Sequence, residues 1–398
     1  MKNVLLVAHF CDYGSEQSNN RFNYIADALS EAGHKVTLVT SSFCHRGKKQ
    51  RRESVQQGKY KTDLVYEPSY KKNISVKRLM HSHKVFAKNL CKYLSTCEKP
   101  DTVYVAVPSN DVGAVVADYC KENNIPMIVD IQDLWPEAYK LVFNIPVISD
   151  IIFAPMTKQA NKIYSQADKI IAVSETYAKR GLEGCVKDTE GTVVFLGTEL
   201  DKFDEQAKSY NIEKNEDEIW ITYAGTLGHS YNIEIVIDAL NLLPDDIAGK
   251  VIFKVLGDGP LMQRFKEYSE GCKASVEFSG RLGYGEMVAY LKKSDIAVNP
   301  ISKGAAQSII NKHGDYAMAG LPVVSTQESS EYRQLLEEYR CGINCNVNSA
   351  EDVADVLKKL IEDEALRCKM CKNSRRLGEE RFDRRQTYTK IVEIVENI

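Results

Sequence analysis

The sequence predicts an α/β protein made of two doubly wound parallel sheets, and three observations carry that prediction. Its 398 residues exceed what one ordinary core accommodates, so two domains are expected, each able to bury a substantial core. Short apolar runs of strand length alternate with segments of helical periodicity along most of the chain. The alternation is interrupted once, by a polar stretch at 204–218 that reads as a linker, and then restarts.

In order, Asn3 to Phe10 reads as a buried strand, followed by the polar loop HFCDYGSEQSNN and a helix from about Arg21 to Ala32. Gly33 stops that helix and HKVTLVTS at 34–41 is the next strand, which makes the opening a βαβ unit with a right-handed crossover. TVYVAV at 102–107, PMIVDIQD at 126–133, KIIAVS at 169–174 and TVVFLG at 192–197 continue the first sheet, with a helix at 111–123. IWITYAG at 219–225, VIFKVLG at 251–257, VEFSG at 276–280, IAVNPI at 296–301 and PVVST at 322–326 are the strands of the second. The expected domains are 1–203, 219–377 and a closing helix at 378–398, for which a return to the first domain is one course open.

Composition bounds the function classes. With 43% apolar and 27% charged residues the chain is globular in character, and no run approaches the ~20 apolar residues of a membrane span. The most apolar stretch, 141–156, is broken by Asn144, Pro146 and Asp150. The N-terminus, MKNVLLVAHF, lacks the long apolar core and cleavage site of a signal peptide and reads as the first strand. Eleven scattered cysteines, an odd number, argue for reduced thiols in a cytoplasm. Cys341, Cys345, Cys368 and Cys371 offer four zinc ligands in two short pairs, but neither pair has a knuckle-like turn, so no metal is expected.

Charge is distributed unevenly. Residues 43–92 hold fourteen Lys and Arg against Glu53, Asp63 and Glu67, a local +11 in a chain whose total is −3, so the remainder carries −14. The interleaved apolar residues make 46–92 an amphipathic basic segment of the kind that lies on anionic lipid. A solvated helical face is the plainer reading, and nucleic acid is disfavoured by the acidic remainder and the lack of a reading motif.

The chemistry is expected in loops at the carboxyl ends of the strands. GAAQSIINKHGDYAMAGLPVV at 304–324 reads as a loop, a helix with Asn311 as N-cap and Gly320 as stop, and a strand. Lys312 then sits in a first turn whose free N–H groups suit an anion, and Asp315 behind it accepts hydrogen bonds from hydroxyls. A capped helix with solvated ends explains the same residue types. AGTLGHSYN at 224–232 brings Gly225 and Gly228 to a close-approach loop; GDGP, with Gly257, and GRLGYGEM, with Gly280 and Arg281, are further turns after strands.

Taken in order, YAGTLGHSYNIEIVIDAL, VLGDGP, VEFSGRLGYGEM and INKHGDYAMAGLPVV resemble the nucleotide-sugar domain of the large retaining glycosyltransferase family 4, of the GT-B fold. DIQDLWPEA at 130–138 is similar to the DLWPE segment of a bacterial subgroup that builds capsule, O-antigen and exopolysaccharide units. The resemblance implies two Rossmann-like domains facing across a cleft. It implies Gly225, Thr226 and Gly228 against the donor diphosphate with Lys312 assisting, and Asp315 on the ribose hydroxyls; Gly257, Gly280, Arg281 and Asn311 complete the donor-side candidates. Where family members carry a first glutamate this chain has Ser308. The Arg and Lys common after the first strand of this domain are replaced by Thr226 and Tyr231-Asn232, which leaves Lys312 and Arg281 as the cations. A histidine common after the fourth strand of the first domain is replaced by Pro108-Ser109-Asn110. Tyr13, Gly14, Asp133 and Glu137 are the acceptor-side candidates, a structural cap on the following turn being the other reading of Asp133.

The implied reaction moves a sugar, with retention, from a nucleotide diphosphate, a UDP-sugar first, to a lipid-linked bacterial surface polysaccharide. Lys312, Asp315 and Arg281 are its catalytic candidates. The absence of an Asp-x-Asp pair fits metal-independent transfer without a cofactor. The implied setting is cytoplasmic, peripheral on the inner face of the membrane. A sugar-nucleotide epimerase or hydrolase, and a binding protein without turnover, use the same fold and stay open.

Overall fold

The computed structural model describes the chain except residues 13–20, 52–55, 58, 73–74, 76, 143–147, 188 and 306–308. It resolves into two compact units, Met1–Val194 with Tyr388–Ile398, and Phe195–Thr387.

In the first unit the strands are β1 (Asn3–Val7), β2 (Lys35–Ser41), β3 (Phe43–Cys44), β4 (Lys49–Gln50), β5 (Gln56–Gln57), β6 (Tyr60–Val65), β7 (Thr102–Val107), β8 (Met127–Ile131), β9 (Lys169–Ala172) and β10 (Gly191–Val193). Its helices are α1 (Arg21–Glu31), α2 (His83–Leu94), entered through one π-helical turn at Arg78–Ser82, α3 (Asn110–Asn123), α4 (Glu137–Val142), α5 (Ile148–Gln166) and α6 (Glu175–Glu183). The main sheet has the order β10-β9-β8-β7-β1-β2-β6-β5. It is parallel except for the β5/β6 hairpin. β7 and β8 are buried at every position, as strands covered on both faces must be. Right-handed crossovers place α2, α3, α5 and α6 over one face of this sheet. The other face is covered by α1, with Phe22, Ile25 and Leu29, and by Tyr388, Ile391 and Val395 from the chain end.

The second unit contains β11 (Ile219–Ala224), β12 (Val251–Leu256), β13 (Ser275–Gly280), β14 (Ile296–Asn299), β15 (Val323–Ser325) and β16 (Gly342–Asn344), all parallel, in the order β13-β12-β11-β14-β15-β16. Its helices are α7 (Leu200–Lys208), α8 (Ile233–Leu242), α9 (Asp245–Ala248), α10 (Met262–Tyr268), α11 (Tyr284–Lys293), α12 (Asn311–Ala319), α13 (Ser330–Tyr339), α14 (Ala350–Glu362), α15 (Glu364–Leu377) and α16 (Arg384–Thr387). α17 (Thr389–Asn397) belongs to the first unit. Strand order reverses about β1/β7 in one sheet and β11/β14 in the other, which marks the two switch points where loops can splay apart.

Several sequence expectations change. The first strand ends at Val7 rather than Phe10, because His9 is drawn into a side-chain network. The run at 192–197 is divided, its strand ending at Val193 and the second unit starting at Phe195, so the boundary falls nine residues before 203. The 204–218 stretch is not wholly a linker. Its first residues lie in α7, whose Leu200 and Phe203 are buried. Asp204 there accepts from Arg375 Nη2 and Lys292 Nζ, both at 2.7 Å. Few apolar residues in a short helix left too weak a period to read.

Candidate functional site

The second unit's site is built at its switch point. β11 ends on Ala224, whose N–H donates to the Tyr316 hydroxyl at 2.9 Å; that hydroxyl donates to the Val298 carbonyl of β14 at 3.2 Å. Tyr316 is fully buried in α12, so one side chain fixes the helix to both strands of the switch point. Gly225 follows at φ 149°, and a Cβ on it would stand 3.1 Å from the Tyr223 hydroxyl and 3.3 Å from Lys312 Nζ. Gly257 is tighter still: its Cβ would lie 1.8 Å from the Gly225 carbonyl oxygen. These turns interlock, Leu227 N donating to Asp258 O at 3.0 Å, and Gly257 pairs with Gly280 in an isolated bridge. Thr226 and Arg281 are exposed and Gly228 is half-buried on the same turns. Glycine at 225 lets the Tyr223 hydroxyl and the Lys312 amine lie directly against the backbone of this turn.

α12 supplies charge. Lys312 is buried, 7% exposed, and its Nζ has no hydrogen-bond partner. The ammonium rests instead on the faces of Tyr231, 3.8 Å from the ring centroid, and Tyr223, 4.2 Å away. Burial holds its pKa well below the ordinary lysine value. The sequence expectation of an Asn311 cap is corrected. Asn311 is the exposed first residue of the helix, and Ile310, extended at φ −113°, is the cap position. Ile310 N–H donates to His313 Nδ1 at 3.2 Å, so the imidazole does the capping. His313 is in turn stacked on Tyr332 at 3.6 Å between centroids. His313 N–H donates to the Ile310 carbonyl at 3.0 Å, while the N–H groups of Asn311 and Lys312 lack intrahelical acceptors by helix geometry and suit an anion.

Asp315 stands three residues after Lys312, nearly one helical turn on. Its Oδ1 accepts from the Tyr284 hydroxyl at 2.7 Å. Burial pushes its pKa up to about 6, against the lowering effect of that hydrogen bond and of Arg384. The hydroxyl expected on Asp315 is therefore first of all Tyr284's, and sequence reasoning missed it. Ser308 lies outside the described residues.

In the first unit the acceptor-side expectations fare differently. Tyr13 and Gly14 lie outside the described residues. Asp133 is a turn cap: Oδ1 accepts from Leu134 N at 2.9 Å and Oδ2 from Trp135 Nε1 at 3.2 Å. Glu137 pairs with Arg180 at 2.6 Å. Both carboxylates have local partners, Asp133 in its own turn and Glu137 on Arg180.

What occupies the β1/β7 switch point was not read from the sequence. His9, beyond β1, meets Ser109 Oγ with Nδ1 at 2.8 Å and Glu67 Oε2 with Nε2 at 2.9 Å. Glu67 also accepts from Ser82 at 2.6 Å and from Ser41. Burial raises the Glu67 pKa, but His9 and these hydroxyls overcome it and hold it down to about 2. Arg78 Nε donates to His83 Nε2 at 3.1 Å. Burial and the cations around it bring His83 down to about 2. His9, Glu67 and His83 offer metal-type ligand atoms within 4.8 Å of one another. His9 and Glu67 are nevertheless already hydrogen-bonded and Arg78 faces His83, so the set is satisfied without an ion. A histidine two residues past the first strand was the one available signal.

Arg78, one of the cations of the amphipathic basic segment at 46–92, is not on its exposed face. It is 7% exposed and lies over Phe10, Tyr70 and Trp135 at 5.0, 5.5 and 5.4 Å. Phe86 and Leu90, expected to meet lipid, are fully buried in the core.

Residues 193–377 match the family model described as glycosyl transferases group 1. Over 238 residues the chain is 25% identical to an uncharacterized glycosyltransferase of Methanocaldococcus jannaschii, covering 59% of this chain and 60% of that relative. Among solved structures, it is similar to sucrose-phosphate synthase from Thermosynechococcus elongatus, with a TM-score of 0.75 and 14% identity over 99% of this chain and 98% of that one. It is also similar to the Anabaena protein HepE in complex with UDP, with a TM-score of 0.70 and 13% identity over the whole of both chains. The chain thus has the GT-B type of fold, with two Rossmann-like α/β domains. The curated match spans about 60% of the relative's length.

Proposed function

We propose that this protein is a glycosyltransferase that moves a sugar from a nucleotide diphosphate donor, a UDP-sugar first, to a lipid-linked acceptor of a bacterial surface polysaccharide, with retention at the anomeric carbon. The group 1 match over 193–377 and the UDP complex of HepE support the donor class. The observation that carries the reading is Lys312: an unpartnered, buried ammonium against Gly225, in the first turn of α12. A diphosphate there meets the lysine and the open N–H groups together, with no side chain on Gly225 in its way.

As the glycosidic bond to phosphate breaks, negative charge grows on the leaving diphosphate. Groups fixed in advance in a dry setting stabilise that charge without reorganising, which is where most of the acceleration is expected. Asp315 with Tyr284 accepts from donor hydroxyls. Departing phosphate oxygen takes the acceptor proton on the same face, so no protein nucleophile is required and no metal is invoked. The acceptor half of the reading rests on the DIQDLWPEA resemblance and the basic segment at 46–92.

The test is NMR of product formed from a panel of nucleotide sugars and a lipid-phosphate-linked saccharide. A glycoside with the donor's anomeric configuration is expected. Inversion overturns the mechanism, and isomerised or free sugar without a glycoside overturns transferase activity.

A further inference from the structure

The most apolar stretch of the sequence, 141–156, contains the start of α5, and among the described residues one face of that start is exposed while Ser149 on it is buried. Ile148, Ile151 and Ile152 are 51%, 69% and 63% exposed. With Pro155 they follow the spacing i, i+3, i+4, i+7 and so form one stripe along the helix. Ala160, Ile163 and Tyr164 form a different stripe, and that one enters the first unit's core. Contiguous exposed isoleucines on one helix face mark an interaction surface.

Position and charge indicate the partner. α5 runs into β9 and α2 into β7, and those strands are parallel, so both helices begin at the carboxyl edge of the sheet. Ring contacts join the two starts: Arg78 lies 5.4 Å from the Trp135 ring, Trp135 5.0 Å from Tyr139, and Tyr139 stacks on Phe153 of α5 at 6.0 Å. At the Arg78 end Tyr66 and Met80 are also exposed, with Lys71, Lys72, Lys77 and Lys84 around them. No Asp or Glu occurs from Pro68 to Cys97. Past the isoleucines, α5 presents exposed Lys158. Asp150, exposed between Ile148 and Ile151, is paired with Lys140 at 2.7 Å. Among the described residues the unpaired charge of this edge is carried by Lys158 and the lysines at the Arg78 end, and apolar side chains flanked by lysines match the boundary of an anionic bilayer, where isoleucine enters the acyl region and ammonium groups meet lipid phosphates. A second copy of the chain related by a two-fold axis would instead bring these lysines against their own kind.

We propose that the carboxyl edge of the first unit docks on an anionic membrane through the Ile148, Ile151 and Ile152 stripe of α5, with Met80 as a second apolar point and the lysines as the electrostatic attraction. This deepens the lipid-linked acceptor reading and rests on it only for the purpose of the surface. Its test is separable from the donor site.

The experiment is flotation of the full chain with vesicles of phosphatidylglycerol and phosphatidylcholine, compared with phosphatidylcholine alone, at low and high salt. Wild type is expected to float with anionic vesicles only. Ile151→Glu with Ile152→Glu, both at exposed positions, should weaken partition at least about tenfold at either salt. Lys71→Gln with Lys72→Gln and Lys77→Gln should weaken it mainly at low salt. Thermal shift by UDP should be unchanged in both variants. Equal flotation of wild type and the Glu variant overturns the proposal. So does a wild-type dimer by light scattering that does not float and that the Glu variant splits, since the stripe is then a contact between copies. Flotation as expected without any UDP shift upholds the docking surface while the donor reading fails.

Discussion

Lys312 lays its ammonium on the face of Tyr231, 3.8 Å from the ring centroid, and has no hydrogen-bond partner among the described residues. A ring face offsets part of the cost of burying a cation but satisfies none of its three N–H donors. Such a group persists in a fold when a ligand completes it.

Lys312→Met should therefore stabilise the protein while disabling it. Removing an unsatisfied buried amine gains about 1–3 kcal/mol, and methionine fills the same volume beside Tyr223. Urea unfolding and UDP calorimetry on one preparation decide the matter. A variant less stable than wild type, or one that still binds UDP normally, shows that Lys312 is a packing element only.

Donor binding should also take up protons where Lys312 titrates. Burial lowers the Lys312 pKa, and a diphosphate beside it raises it again by favouring the charged form. Calorimetry of UDP near neutral pH in buffers of different ionisation enthalpy should show net uptake, which Lys312→Met abolishes. Uptake that persists in the variant places the proton elsewhere.

Much of this site was legible in the sequence, because its signals are local. A glycine directly after an apolar strand marks Gly225, and a helix start between a loop and Gly320 marks Lys312 and Asp315. The cap was misjudged because Asn311 has the right side chain, whereas the distant ring of Tyr332 holds His313 in the capping position. Tyr284 was invisible for the same reason, lying 31 residues from Asp315. Asp133 and Glu137 looked available only because Trp135, Tyr177 and Arg180, which occupy them, come together through folding. In the basic segment the sequence shows alternation but not which face is inward, so Phe86 and Leu90 were assigned to the surface while the isoleucines of α5 were passed over.

Gly225→Ala should cost both stability and donor binding. At φ 149° a side chain is strained by about 1–3 kcal/mol, and the new methyl would displace Lys312 Nζ from its seat at 3.3 Å. The measurable outcome is a lower urea midpoint with loss of the UDP thermal shift. A variant that binds UDP as wild type does removes the close approach from the site.

The Asp315 carboxyl makes stability depend on pH in a defined direction. Its pKa, raised by burial to about 6, means that the folded chain holds this proton more tightly than the unfolded one. Its contribution is complete below the ordinary carboxylate value and is lost as pH rises through about 6. Asp315→Asn is neutral throughout, so wild type should lose stability relative to the variant by about 2 kcal/mol between pH 4 and pH 7, one pKa unit being about 1.4 kcal/mol. Donor hydroxyls are better accepted by the ionised carboxylate, so UDP affinity of wild type should rise over the same window and that of the variant should stay flat. A pH-independent difference between the two proteins would mean that Tyr284 and Arg384 keep Asp315 ionised throughout.

The Arg21 and Asp130 pair tests the first unit's core in the same terms. Arg21 Nε donates to Asp130 Oδ2 at 2.8 Å, and Tyr104 donates to the same oxygen at 2.7 Å, all three side chains being buried. Arg21 also donates to Val194 O at 2.8 Å and to the Tyr388 hydroxyl at 3.1 Å. That guanidinium therefore links α1 to β8, to the last residue of the first unit's main segment and to the returning C-terminal segment. Asp130→Ala leaves its charge buried without the carboxylate, which typically costs 3–5 kcal/mol. Removing Tyr388–Ile398 keeps the ion pair but uncovers the α1 face of the sheet, where Tyr388, Ile391 and Val395 pack. Both changes should lower the unfolding midpoint of the first unit. In the second unit UDP protection against proteolysis should survive, because Asp130 and Tyr388–Ile398 both belong to the first unit. Loss of UDP protection in Asp130→Ala, with the second unit still folded by hydrogen exchange, would show that the donor site depends on the first unit's core.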